Sequence, residues 1–141
     1  MLKTKRIWAF ILLIVLCLSS LSLASCSSDG LDNAKTHVKS CLTEVRKGNF
    51  EEAKKYVHPD YNKNSLEQYF DFIEEQYDID FQSGISLLGY TNIRSSFYTT
   101  EVNGSLYEIT HTLEVSGKKI SATISVVDND KGYGIADIVI K

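Results

Sequence analysis

The chain has 141 residues, 23% of them charged and 43% hydrophobic, and a formal net charge of −3. That length suits one domain with an ordinary core. The acidic balance excludes nucleic-acid binding, which needs cations to neutralise phosphates, and three scattered cysteines (Cys17, Cys26 and Cys41) exclude a thiolate zinc site.

Lys3, Lys5 and Arg6 precede an unbroken apolar run from Ile7 to Leu18, which Leu21 and Leu23 extend toward small residues at Ala24 and Ser25. A basic start, an apolar middle and a small-residue end make a secretory signal peptide. The run is too short for a membrane-spanning helix, which needs about 20 apolar residues. Leu23-Ala24-Ser25-Cys26 resembles the lipobox of bacterial lipoproteins, where the signal is cut just before a lipidated cysteine. Cleavage after Ala24 by an ordinary signal peptidase, or no cleavage, are the alternatives. The resemblance implies a signal peptide over 1–25, a lipidated tether over 26–30 and a single domain over 31–141. Cys26 is then the lipidation site. Acyl chains such as palmitate would hold the protein to the extracytoplasmic face of a cell membrane, since two or more chains at roughly 0.8 kcal/mol per methylene anchor stably.

Loss of the three basic residues of the signal leaves 12 Lys and Arg against 18 Asp and Glu, a net charge of about −6. Such a domain gains nothing electrostatically from an anionic lipid surface. Cys41 would be the last free thiol, so no internal disulfide forms. The tether Ser27–Gly30 spans about 14 Å at most, at roughly 3.5 Å per residue.

Leu31, Ala34, Val38, Cys41, Leu42 and Val45 recur at helical spacing, with Asp29 or Asp32 as the cap and Gly48 as the stop. Cys41 lies on that apolar face, as a small buried hydrophobe. Asn49 and Glu52 predict a capping box for a second helix carrying Phe50, Ala53 and Val57. His58-Pro59 ends it. Ser65 and Gln68 cap a third helix with Leu66, Tyr69, Phe70, Ile73 and Tyr77 on its apolar face. Its other face carries Glu67, Asp71, Glu74, Glu75 and Asp78, a solvated stripe or a dock for a basic partner.

From Ile85 the period changes to 2, predicting strands over 87–93, 97–102, 105–115, 118–127 and 133–140. Asn103-Gly104 and Ser116-Gly117 mark hairpins. Tyr107, Ile109, His111, Leu113 and Val115 share one face, as do Ile120, Ala122, Ile124 and Val126. Repeated hairpins make an antiparallel sheet, and the three N-terminal helices are its cover. The fold class is α+β: three helices packed on a curved antiparallel sheet of about five strands, cone-like.

Three helices followed by such a sheet, with the stretch Lys47-Gly48-Asn49-Phe50-Glu51-Glu52-Ala53 and the closing strand Gly134-Ile135-Ala136-Asp137-Ile138-Val139-Ile140, resemble the nuclear-transport-factor-2-like cone of the cystatin-like group. Small bacterial lipoproteins of unknown function show the same pattern. The resemblance implies a pocket between sheet and helices. His111 and Asp137 are then candidate catalytic residues, and Tyr107, His111 and Tyr133 candidate ligand-binding residues; no family dyad maps onto them. Asp128-Asn129-Asp130-Lys131-Gly132 begins like a calcium loop, but glycine is fifth and Val139 stands twelfth, so it reads as a polar turn. His37, His58 and His111 are too scattered for a metal, and no cofactor is expected. The expected function is a membrane-tethered, non-enzymatic domain binding a small ligand or an envelope protein. The alternative is an envelope enzyme using His111 and Asp137. A homodimer through the outer sheet face, with Leu88, Tyr90, Leu106 and Val127, is a third expectation.

Overall fold

The first helix, α1 (Ser28–Arg46), begins three residues earlier than its apolar repeat. Asp29 therefore sits in the first turn, where a carboxylate meets the positive end of the helix dipole. Ala34, Val38, Cys41, Leu42 and Val45 are buried, as their spacing requires. Gly48, at φ 71°, supplies the left-handed stop. The computed structural model describes residues 28–61 and 65–141, and every expectation for 1–27, including Cys26, lies outside them.

The second helix is shorter than its sequence suggests. α2 (Phe50–Ala53) gives way to a 3-10 turn at Lys54–Tyr56. The expected capping box does not form: the Asn49 side chain donates instead to Glu44 Oε2 at 3.3 Å. A charged acceptor makes the stronger bond. Val57 is extended and pairs in parallel with Ile135. α3 (Leu66–Tyr77) has the expected cap, Ser65 accepting from Gln68 N at 3.2 Å. Asp78 ends it at φ 50°. Most of the acidic face is solvated, but Glu74 Oε1 accepts from Phe81 N at 2.7 Å and fixes the next turn. Phe81 then stacks edge-on against Phe70 at 4.9 Å.

Four strands follow in an antiparallel meander: β1 (Ile85–Thr99), β2 (Gly104–Val115), β3 (Lys118–Asn129) and β4 (Gly132–Ile140), in the order β1-β2-β3-β4. The α+β class holds, with four strands in place of five. The two strands expected at 87–93 and 97–102 are one, because residues 94–96 keep pairing with β2. At the first hairpin only Asn103 is left-handed (φ 51°), and Gly104 already opens β2. Ser116 and Gly117 (φ 52° and 74°) form the two-residue turn that matches strand twist.

Two irregularities reset the alternation. β1 bulges at Leu88 and again at Thr91, so Tyr90 pairs with His111 on the inner face and not, as expected, on the outer. β4 carries an extra residue at Ala136, so Ile138 pairs with Ile124 while Asp137 pairs with Ser125. One hydrophobic cluster joins α1, α3 and the inner faces of β2, β3 and β4. Residues 31–141 make one compact unit.

Candidate functional site

The inner face brings together most of the side chains singled out by sequence. Tyr107 and His111 are buried in β2, and Tyr133 reaches the flank of α1. The His37 ring stands edge-on to Tyr133 at 4.9 Å and to Tyr56 at 5.0 Å, and its Nε2 donates to Tyr56 O at 3.0 Å. The His111 ring meets Tyr90 at 4.8 Å. Neither His111 Nε2 nor the Tyr133 hydroxyl finds a hydrogen-bond partner among the described residues. Burial lowers the pKa of His111 and pushes Tyr133 up to about 12 because it penalises the charged form of each. Both groups are thus held neutral, and neither lines a described cavity. Tyr107 and His111 are only 5% and 2% exposed, so neither side chain meets bulk solvent.

Asp137 is not part of this group. Its register partner Ser125 lies on the face opposite Ile124 and Ile138. His111 is level with Ala122 and Ile140, so Asp137 lies two strands across and three residues along from it. At about 4.8 Å between strands and 3.3 Å per residue, the two positions are roughly 14 Å apart. His111 and Asp137 form no acid–base pair.

A cavity of about 530 Å³ lies elsewhere, between the β1–β2 turn, the β3–β4 turn and the segment 58–60. Asn129 organises it. Its Oδ1 accepts from His58 Nε2 at 3.0 Å and from Lys131 N at 2.9 Å, and its Nδ2 donates to Val102 O at 2.8 Å. His58 Nδ1 accepts from Asp60 N at 3.0 Å, which fixes the tautomer with the proton on Nε2. Lys131 Nζ holds both oxygens of Asp60, at 2.9 and 3.0 Å. The polar turn read from Asp128 to Gly132 therefore ties three backbone segments together. His58 escaped the sequence reading because its partner is 71 residues away. Asp60, Glu101 and Asp130 line the cavity with Lys131 as the cation, but no nucleophile faces a base there. Among the described residues no group of three metal-binding side chains occurs.

β1 presents a different surface. Leu87, Tyr90 and Ile93 are 39%, 51% and 39% exposed, while their register partners Leu113, His111 and Ile109 are 0%, 2% and 0% exposed. The helical cover thins beyond β2: Ile85 still packs against the core, but Leu87, Tyr90 and Ile93 stay exposed. Cys41 fits its bland reading: it is buried, its Sγ lies 3.9 Å from Ala53 O, and burial pushes its thiol up to about 12. Comparison with protein-family models, curated proteins and solved structures finds no match.

Proposed function

We propose that this chain is a lipid-anchored, extracytoplasmic binding protein without catalytic activity, and that its ligand is a protein. The address rests on the basic–apolar–small order of residues 1–25 and on Leu-Ala-Ser before Cys26. The four-stranded antiparallel meander with α1 and α3 packed on its inner face supports the cone-like reading and its likeness to nuclear-transport-factor-2-like lipoproteins. The observation that carries protein over small-ligand binding is the contrast across the inner face. The half under the helices buries Tyr107 and His111, while Leu87, Tyr90 and Ile93 of β1 stand exposed. An exposed apolar strip on an edge strand is a surface that partners cover.

Metabolic labelling with a palmitate analogue, followed by membrane fractionation, tests the address. Label in the wild type and its loss in Cys26→Ser, with release of the protein from the membrane, is the expected result. Unlabelled wild-type protein that stays soluble would overturn it. Cross-linking from a photoreactive residue at position 90 tests the binding mode, with protein adducts expected and their absence counting against it.

A further inference from the structure

The open strip on β1 has a basic wall. Lys35, Lys39, Leu42 and Arg46 fall at spacings of four, three and four, which places them on one stripe of α1. Lys39, Leu42 and Arg46 line a small groove with Ile85 and Leu87, and Lys35 Nζ stands 5.4 Å from the Tyr90 ring centroid. α1 and β1 therefore run antiparallel, with the cationic stripe beside the inner face of Ile85–Tyr90. Asp32 pairs with Lys35 at 3.1 Å, whereas Lys39 and Arg46 have no ion-pair partner among the described residues. A cationic row is a departure for a domain of net charge about −6.

β1 itself carries one charge, Arg94, and that side chain faces outward to Glu108 at 3.2 Å. The strand holds neither lysine nor proline, the residues that usually blunt a sheet edge. Its bulges lie at Leu88, Thr91 and Phe97–Tyr98, so the strand beside the cationic stripe is interrupted once at Leu88, and Asn92–Ser96 beyond the stripe keeps unbroken register. Among the described residues the sheet order shows no strand on its second side.

We infer that the free edge of β1 accepts an extended segment of a partner protein as a fifth strand, with acidic side chains at alternate positions facing Lys35, Lys39 and Arg46. The backbone edge supplies main-chain hydrogen bonds, and alternate side chains supply the specificity. Charge selects the occupant. A second copy pairing β1 to β1 about a two-fold axis would bring the two cationic rows together. A bilayer would leave the strand's main-chain groups without partners. This assignment rests on the protein-binding reading, but it does not need the lipid anchor.

The test uses the full chain in phosphatidylcholine nanodiscs and two short peptides, one alternating glutamate with valine and one alternating lysine with valine. Titration should give at least about tenfold tighter binding of the glutamate peptide, and amide exchange should slow across Ile85–Thr99 in that complex. The exposed pair Lys39→Glu and Arg46→Glu should reverse the preference, so that a folded variant is read by gain and not only by loss. Equal affinity for both peptides, or protection anywhere but β1, overturns the assignment. So does a dimer by light scattering that protects β1. So does β1 protection that depends on anionic lipid in the nanodisc and not on peptide. If lipidation fails while the glutamate peptide still binds along β1, only the address is wrong.

Discussion

Gly134 offers the sharpest test of how the fold is closed. A Cβ placed there would stand 2.6 Å from His58 N and 2.8 Å from Val57 C, whereas ordinary contact begins at 3.4 Å. Both atoms belong to backbone, so Gly134→Ala must push the 57–58 segment away by about 0.8 Å. The hydrogen bond from His58 N to Ile135 O, now 2.8 Å, would open to roughly 3.6 Å and be lost. Overpacking costs about 1–3 kcal/mol, and an orphaned buried N–H about as much again. The expected loss is about 2–6 kcal/mol, or roughly 10–30 °C in Tm for a domain of this size. Gly89 is the control. A Cβ there meets nothing within 4 Å and needs no left-handed backbone. Gly89→Ala should be neutral or stabilise by up to about 1 kcal/mol, through the unfolded chain. Urea unfolding of both variants decides the matter. Equal effects at the two positions would refute the close approach of residues 57–58 to β4.

Three further expectations concern single groups. Cys41, with its thiol pushed up to about 12, should resist iodoacetamide at pH 8 in the folded protein and react fully in denaturant; equal labelling rates would show an open site. Burial lowers the pKa of His37 and His111 below 6.5. Below that value the unfolded chain binds protons that the folded one does not, so stability should rise with pH from about 5 to 7. His111→Leu should flatten that slope, and an unchanged slope would count against its burial. Ser65→Ala removes the cap on Gln68 N and should cost about 1 kcal/mol in urea unfolding; no change would mean that the cap contributes nothing.

Much of the scaffold was legible in the local pattern. Period 3.6 over residues 31–45 and period 2 over 105–126 identify the buried faces of α1, β2 and β3 because both depend only on which side of an element meets water. Ser65 and Gly48 likewise act within one turn of chain. The free edge of β1 was hidden for a different reason. A bulge costs one residue and leaves no composition signal, yet it turns every later side chain over. The bulge at Leu88 moves Tyr90 to the inner face, and Ala136 moves Asp137 away from it. Those two residues account for the changed faces of Tyr90, expected on the outer sheet face, and Asp137, expected beside His111.

The sequence by itself determined most of the elements and their apolar faces, since each is written in neighbouring residues. Only the tertiary structure decided what those faces meet. It buried Tyr107 and His111 on the inner face, joined His58 to Asn129 across 71 residues, and set the Lys35–Arg46 stripe beside a partly exposed strand. Such pairings depend on strand register and on where the helical cover ends, and no local period encodes either.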